Sequence, residues 1–546
     1  MQKHFIGTVQ NKDMKLKGNL VDVIAEDIYP VEVDFDKTIK SIKKIAEQPG
    51  FILPGFIDSH IHIESSMLCP SRFAEAVIPH GTTCTVSDPH EIANVSGIEG
   101  IAYMISDTTV LKVYYTAPSC VPATVFETSG AAITSDDIEE LFKKYDLAAL
   151  GEVMNFPGVV SGDEEVIKKI AAARTYSKPI DGHAPGLTGV NLQKYVAKGI
   201  LTDHECTTLK EAQEKQELGM KIMIREGTAS KNMKDLLGLD YDNCFLVSDD
   251  LHPEDIVKGH VDALLRKAVS HGIDPVKAVK MATINPAEHY KLNTGAVTVG
   301  NPADIVVVDD LKEFSVKKVF IDGKLAAADG NPLFSVEPVQ LGSTFQVEHK
   351  SPEDFYITAE SDTVNVRVIS VVEGQLYTKA EEAVLTCHQK VVKPDTDQDI
   401  LKLVVVERYG HENIGKGFVR GFGLKEGALA SSVAHDSHNI ISAGVSDQYI
   451  AEAVNTVIDI KGGIAACGEE KVFLELPAAG LMSYEPAQTV AETHEKVQEY
   501  AKNLGCTLEN PFMQLSFLAL LVIPELKLSD KGLFDSQRFE FVDVIL

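Results

Sequence analysis

Between residues 54 and about 290, short β-rich apolar runs alternate with longer stretches of helical periodicity. Parallel strands need a crossover between them, usually a helix, so this alternation predicts a parallel sheet covered by helices. Eight such runs within roughly 240 residues are typical of a (β/α)8 barrel. The predicted strands lie at residues 56–62, 82–87, 112–116, 148–153, 179–183, 200–204, 221–225 and 244–249, and helices are predicted between several of them at 135–144, 164–175, 191–198 and 208–218.

The flanks of the barrel region have other patterns. We expect residues 1–53 and 287–340 to form one composite small β-domain beside a barrel at 54–286. Residues 341–546 mix strand and helix patterns, which predicts a C-terminal α+β domain and an α/β fold class for the whole chain. The predicted flanking elements are strands near 19–24 and at 295–300, 303–309, 316–321, 363–372, 401–408 and 418–422, and helices at 37–48, 446–458 and 485–503.

Composition and charge narrow the range of partners. Of the 546 residues, 44% are hydrophobic and 24% charged, as in an ordinary globular protein. The net charge of −29 disfavours nucleic acid and anionic membranes as partners. The N-terminus has no apolar signal core, no apolar run could span a bilayer, and the eight cysteines form no C-x-x-C pair. We therefore expect a cytoplasmic protein and, from its fold class, a homodimer.

Ligand-type side chains stand at the ends of five predicted strands. In such a barrel the active site lies at the carboxyl ends of the strands. Side chains alternate with period two, so the histidines of the first strand share a face. Imidazole and carboxylate together suit a borderline divalent metal such as Zn, Mn or Fe. Six ligands exceed the need of one catalytic ion, and a bridging carboxylate between two ions would use them all. The candidates are His60, His62, Glu152, His183, His204 and Asp249.

Each candidate also has a structural explanation when it is taken alone. Glu152 could be salt-bridged, His183 and His204 could be satisfied core histidines, and Asp249 could cap the helix that starts near Pro253. Their joint occurrence at five strand ends favours a metal centre.

A dense polar segment, residues 435–439 (HDSHN), lies outside the barrel region. Its two histidines and aspartate could bind a metal by themselves, and a plain turn is the structural alternative. We expect a lid over the barrel mouth, which would bring Asp436 to the substrate.

Several long phrases of the sequence resemble one protein family. They are PGFIDSHIHIESSM, HGTTCTVSDPHEIANV, DGHAPGL, LVSDD, MATINPAEHYKL and GALASSVAHDSHNII. The His-x-His strand, a single histidine on each of two later strands and a final strand-ending aspartate are similar to the amidohydrolase superfamily. Within it, the phrases resemble the bacterial and archaeal adenine deaminases over nearly the full chain.

The resemblance implies a two-metal centre, with manganese or iron favoured and zinc compatible with the ligands. It implies hydrolysis of adenine to hypoxanthine and ammonia, with Asp249 as general base and then general acid. One ion would be held by His60, His62, Glu152 and Asp249, and the other by Glu152, His183 and His204.

Further residues are candidates for contact with the substrate. Ring N1 of adenine needs a proton as water adds, and Glu64, on the face shared by the first two histidines, is our candidate for this second acid. A solvated loop charge is the alternative explanation for each of these residues. The substrate-binding candidates are Asp88, His90, Glu91, Arg225, Glu226 and Asp436.

Two other functions stay open. A related hydrolase acting on a cyclic amide, like a dihydroorotase, would use the same centre, although many such enzymes bridge their metals with a carbamylated lysine rather than a glutamate. A catalytically silent scaffold of the same fold would typically have lost ligands. The chain has no P-C-x-x-C, H-E-x-x-H, G-x-S-x-G or P-loop motif, which excludes the zinc nucleobase deaminases, zincin proteases and other classes that those motifs define.

Overall fold

The computed structural model describes residues 14–107, 110–228, 230–373 and 375–546. Residues 1–13, part of the predicted small β-domain, lie outside the described residues. The first elements are the strands β1 (Met14–Asp22), β2 (Asp27–Phe35), β3 (Ile39–Lys44) and β4 (Phe51–Pro54).

The helix predicted at 37–48 is wrong, because this segment contains the strand β3. Its backbone pairs antiparallel with β2, with Val33 opposite Ile42, and Ile39 is buried. The apolar and polar residues of so short a segment fit the period of a helix as well as that of a strand. The free edge of β2 supplies hydrogen-bond partners that a short helix without tertiary contacts would lack.

The region between residues 56 and 247 contains a strand within each of the eight predicted runs. Neighbouring strands pair in parallel as β5–β6–β7, β8–β9 and β10–β11–β12. Single parallel bridges join Ala117 to Leu150 and Ile61 to Asp249. The carboxyl ends of these strands therefore lie at one edge. The strands are β5 (Phe56–Ile61), β6 (Thr82–Ser87), β7 (Lys112–Tyr115), β8 (Leu150–Val153), β9 (Ile180–Gly182), β10 (Thr202–Asp203), β11 (Lys221–Arg225) and β12 (Cys244–Val247).

Helices connect these strands, and local capping marks several of their starts. Thr134 and Asp137 form a capping box at one helix, and the side chains of Asp163 and Thr208 accept backbone N–H groups at two others. The helices are α1 (Pro70–Val77), α2 (His90–Ser106), α3 (Ser135–Lys144), α4 (Phe156–Ser161), α5 (Glu164–Thr175), α6 (Gly189–Ala197), α7 (Leu209–Glu217), α8 (Pro253–Ile256), α9 (Val261–Ser270), α10 (Pro275–Met281) and α11 (Ile284–Tyr290).

Strands from both flanks of this region form one sheet. Its order is β16-β15-β14-β13-β4-β1-β2-β3, so β13 pairs with β4 and joins the two halves. The strand predicted at 295–300 is wrong, since Gly295 and Gly300 have φ values of +93° and +97° that interrupt extended backbone. The later strands are β13 (Ile305–Val308), β14 (Val316–Ile321), β15 (Lys324–Ala328) and β16 (Asn331–Pro332).

The C-terminal part contains a large mixed sheet in the order β19-β18-β17-β21-β20-β23-β22-β24-β25, with a second sheet of β26–β28. Helix α12 packs on β22, β23 and β24. The elements are β17 (Thr363–Val371), β18 (Thr378–His388), β19 (Val391–Val392), β20 (Ile400–Val406), β21 (Ile414–Arg420), β22 (Ala428–Ser431), β23 (Ile440–Gly444), α12 (Asp447–Asp459), β24 (Gly463–Cys467), β25 (Lys471–Glu475), α13 (Ala487–Asn503), α14 (Pro511–Ser516), β26 (Leu526–Ser529), β27 (Gly532–Asp535) and β28 (Glu540–Phe541).

Backbone hydrogen bonds join the C-terminal part to the strand region. The amide of Cys69 donates to the carbonyl of Ser483 at 3.1 Å, and the amide of Ser483 donates to Met67 at 2.8 Å. Thr128 donates to the carboxylate of Asp530. Among the described helices, none combines the length and the apolar character that a bilayer crossing needs.

Candidate metal centre

Two histidines at the end of β5 approach two carboxylates. The Nε2 atom of His62 lies 3.1 Å from Glu152 Oε1 and 3.1 Å from Asp249 Oδ1. The Nε2 atom of His60 lies 3.5 Å from the same oxygen of Asp249. Glu152 is on β8 and Asp249 follows β12, so three strand ends converge on one point.

A second group forms on the other side of Glu152. Its Oε2 atom lies 2.7 Å from His183 Nδ1 and 3.3 Å from His204 Nε2, and these two nitrogens are 3.3 Å apart. His183 follows β9 and His204 follows β10. Glu152 therefore directs one carboxylate oxygen toward each group, as a bridging ligand would.

The donor set fits divalent metal ions. The ligand atoms of His60, His62 and Asp249 lie within 4.8 Å of one another, and so do those of His60, Glu152 and His204. The Nε2 atom of His60 is buried and has no hydrogen-bond partner among the described residues. Buried imidazoles and carboxylates at these separations are typical of sites for borderline divalent ions. The structure thus brings the six predicted ligands together.

Neighbouring charges keep both carboxylates ionised. Burial alone would raise the pKa of Glu152, but His204 and hydrogen bonds from His183 and His62 hold that pKa well below its usual range. Burial would also raise the pKa of Asp249, and the guanidinium of Arg225 outweighs it and holds the pKa well below the usual range. Ionised carboxylates are the form that binds metal.

Asp88 contacts two of the candidate ligands. Its carbonyl lies 3.0 Å from His62 Nδ1, and its Oδ2 atom accepts the amide of Glu152 at 3.0 Å. Burial, and then the charge of Glu152, raise the pKa of the Asp88 carboxyl to about 7. Both contacts are with candidate ligands, so the structure gives this predicted substrate residue an orienting position.

The residues predicted at the end of β11 lie on opposite sides. Arg225 Nη1 donates to Asp249 Oδ2 at 2.5 Å and also bonds Glu205. The side chain of Glu226 points away and pairs with Lys267. The structure therefore brings Arg225 to the cluster and does not bring Glu226 there.

Glu205 joins the cluster and was not among the predicted site residues. Its Oε1 atom lies 3.3 Å from His204 Nε2, and the two residues form a possible metal-holding group with His183. The available signal was a carboxylate directly after a candidate histidine. Period-two alternation argues against such neighbours sharing a face, but β10 ends at Asp203, so the alternation does not extend to them.

A small cavity of about 20 Å³ lies between the strand ends and the C-terminal part. Glu64, Asp250, His435 and Phe517 are among its lining residues. Burial raises the pKa of the Glu64 carboxyl to about 8, and its Oε2 atom has no hydrogen-bond partner in the described part of the chain. The imidazole of His435 stacks on Phe517 with ring centroids 4.6 Å apart.

The segment 435–439 is buried against α2. His435 Nδ1 lies 2.8 Å from Glu91 Oε1, and His438 pairs with the other oxygen of Glu91. Burial, and then the negative charge of Glu91, raise the pKa of Asp436 well above its usual range. The predicted residue Glu91 is therefore held by the C-terminal part, and movement of this segment as a lid stays a prediction.

His90 borders the cluster through its ring. Its Nδ1 atom is 3.6 Å from Glu152 Oε1, and its ring centroid is 4.5 Å from that of His62. Burial, and then the nearby His62, lower the pKa of His90 to about 4, so its ring is neutral near pH 7. A neutral imidazole here can accept or donate a hydrogen bond.

Comparison with known proteins gives the family. Residues 51–326 match the model of the amidohydrolase family, and residues 375–540 match the adenine deaminase C-terminal domain. Adenine deaminases of Methanosphaera stadtmanae and Methanothermobacter thermautotrophicus are 50% and 49% identical, and each alignment covers 97% of this chain and 99% of the relative. The adenine deaminase of a Sulfurovum species is 48% identical over 543 residues, with the same coverage. The resemblance predicted from the sequence is confirmed, and the chain belongs to the adenine deaminase family of the amidohydrolases.

Proposed function

We propose that this protein hydrolyses adenine to hypoxanthine and ammonia. The observation that carries the proposal is the cluster of histidines and carboxylates at five strand ends, which lies beside an enclosed cavity. Relatives at about half identity over nearly the full chain carry the name of this activity.

The cluster requires strands that converge, and we propose that β5 to β12 close into a (β/α)8 barrel. Hydrogen-bonded pairs and the single bridges at Ala117–Leu150 and Ile61–Asp249 support closure. In such a barrel the inward-facing residues at the carboxyl ends meet over one mouth.

Two divalent ions would occupy the cluster, with Mn²⁺ or Fe²⁺ favoured and Zn²⁺ chemically compatible. When bound, they would supply Lewis-acid activation of water near neutral pH. Glu205 lies close enough to His204 to add a contact to the second group. The proposed ligands are His60, His62, Glu152 and Asp249 for one ion, and Glu152, His183 and His204 for the other.

Asp249 is the proposed proton carrier. Its carboxylate is ionised, because Arg225 stabilises the charged form, and it stands at the end of β12 beside both histidines of β5. It would take a proton from water as oxygen adds to C6 of adenine, and would return it to the departing amine. Arg225 acts through Asp249 as a positioning residue.

Glu64 is the proposed acid for ring N1. It lines the cavity, and its Oε1 atom accepts a hydrogen bond from the amide of Ile92 at 3.2 Å. Its Oε2 atom has no hydrogen-bond partner among the described residues and can bond to a ligand. A carboxyl group that carries a proton can donate to N1 while the ring gains negative charge, and it would regain a proton from the C6 hydroxyl group as the carbonyl forms and ammonia leaves. His435 and Phe517 supply a planar wall against which a purine can lie.

The proposal is tested with protein purified with manganese and without strong chelators. We expect about two metal ions per chain and rapid ammonia release from adenine, lost in Asp249→Asn and Glu152→Gln. Metal without ammonia release would refute the adenine assignment and favour a cyclic amide substrate. A chain without metal or activity would favour the silent scaffold.

A further inference from the structure

A second group of ligand-type side chains lies three residues beyond Asp249. It joins His252 and Glu254, at the start of α8, to His494 on α13. His252 Nδ1 lies 3.6 Å from Glu254 Oε1, and His494 Nδ1 lies 3.1 Å from Glu254 Oε2. The two imidazole rings are perpendicular, with centroids 5.3 Å apart.

Hydrogen bonds within this group do not satisfy its buried atoms. His252, Glu254 and His494 are only 8%, 9% and 1% exposed. Among the described residues, His252 Nδ1 and Glu254 Oε2 have no hydrogen-bond partner. An unpaired buried polar atom costs free energy, so such a group calls for a further ligand.

The separations agree with atoms that share one ion. Two ligands of a tetrahedral ion, each about 2.0–2.1 Å from it, lie roughly 3.3 Å apart. The distances of 3.1 and 3.6 Å bracket this value. A direct charge-assisted hydrogen bond would be shorter, at about 2.7–2.9 Å.

A fourth ligand is available one turn along α13. The side-chain nitrogen of Gln498 lies 3.1 Å from His494 Nδ1 and 3.3 Å from Glu254 Oε1. Rotation of the amide by 180° would bring its oxygen to the same position. An amide oxygen is a metal ligand, and with two nitrogens and both oxygens of the carboxylate it would complete a five-coordinate set.

Charge and access also suit a cation. Burial would raise the pKa of Glu254, but the neighbouring His252 and His494 hold it well below the usual range, so the carboxylate is ionised. A surface groove of about 520 Å³ borders Glu254 and Gln498, and its five carboxylates outnumber its three lysines. This groove gives an ion a path from solvent.

We propose that His252, Glu254 and His494, with the amide oxygen of Gln498, bind one divalent ion of the zinc type. This site is separate from the candidate metal centre and does not depend on the adenine assignment. Bound metal would tie α13 to the segment that follows Asp249, and so hold the C-terminal part against the wall of the cavity that His252 also lines.

The test counts metal in the holoenzyme and in the variants His494→Gln and Glu254→Gln. Glu492→Gln is the matched control, because Glu492 lies on the same helix as His494, is exposed and does not line the groove. Each protein is dialysed against buffered Zn²⁺, and metal per chain is measured by mass spectrometry. We expect both variants to bind one ion fewer than the wild type and the control, and equal counts would overturn the proposal.

A variant that does not fold would lose all its metal, so a second measurement uses the unmodified holoenzyme. Crystals are soaked in millimolar Zn²⁺, and diffraction is recorded on both sides of the zinc absorption edge. An anomalous peak among His252, Glu254 and His494 supports the site. Clear density for the side chains with no anomalous peak between them refutes it.

Discussion

The absence of a side chain at Gly151 helps to shape the cluster. A Cβ atom there would lie 2.2 Å from Asp88 Oδ2, far inside van der Waals contact. Asp88 in turn holds the amide of Glu152 and one ring nitrogen of His62. Gly151 therefore leaves room for the Asp88 carboxylate to hold the amide of Glu152, while the carbonyl of the same residue contacts His62.

Replacing this glycine tests the orienting role. In Gly151→Ala, the carboxyl group of Asp88 must move away from the amide of Glu152, so Glu152 loses its fixed orientation. We expect metal affinity to fall about 10–100-fold, as for other losses of outer-shell contacts. The measurement is metal retained per chain during dialysis against graded chelator.

Gly342→Ala is the control, since a Cβ at that position meets no atom within 4 Å. Wild-type metal retention in Gly151→Ala would show that Asp88 does not orient the ligands.

At the scale of elements, the sequence predicted the strands β5 to β12 better than the flanking elements. Between residues 54 and 286, the alternation of runs repeats often enough to identify strands as short as the two residues of β10. Segment 37–48 has no such repeat. It forms a strand because it pairs with β2, and the periodicity of the segment alone does not reveal this pairing.

The site was predictable to a similar degree. Strand ends located the six candidate ligands, because parallel strands place their carboxyl ends together. Glu205 and Glu226 show the limit, since which way a side chain points beyond the end of a strand depends on the local turn. The packing of His435 on Phe517 joins residues 82 positions apart, which sequence patterns do not reveal.

A buried lysine in β26 predicts a pH dependence of stability. Lys527 Nζ donates to the carbonyls of Leu376 and Phe517, and burial lowers its pKa to about 7. Between pH 7 and the unfolded value of about 10.4, the unfolded chain binds a proton that the folded chain lacks. The contribution of this residue to the free energy of unfolding therefore rises with pH in that window, by at most about 1.4 kcal/mol per pH unit.

The measurement is denaturant unfolding of the wild type and Lys527→Met at several pH values from 6 to 10. We expect the difference in free energy between the two to grow in favour of the wild type above pH 7. Lys531→Met, an exposed position in the same hairpin, controls for loss of a lysine. A difference that stays constant across the range would contradict a lowered pKa.

At the scale of the whole molecule, the cavity belongs to two parts of the chain. Glu64 and Asp250 come from the strand region, and His435 and Phe517 come from the C-terminal part. The predicted homodimer stays a prediction, which sedimentation velocity would test. The proposed function needs both parts in contact.

Removing one aromatic wall tests the contribution of the C-terminal part. Phe517→Ala deletes the ring stacked on His435, so a planar base loses a contact worth about 0.5–1.5 kcal/mol. We expect KM for adenine to rise up to about tenfold with kcat changed much less, measured by ammonia release. Phe473→Ala, at a partly exposed position away from the cavity, should leave KM as in the wild type. An unchanged KM in Phe517→Ala would place the base elsewhere.

The cavity has walls from near both ends of the chain, which has a consequence for synthesis. A ribosome adds about 5–20 residues per second, so on the order of half a minute or more separates the emergence of Glu64 from that of Phe517. The strand region can begin to fold during that time while its mouth is open to solvent. The nascent chain is therefore incapable of holding its substrate until translation is nearly finished, and a truncated product would expose reactive ligands without the surface that encloses them.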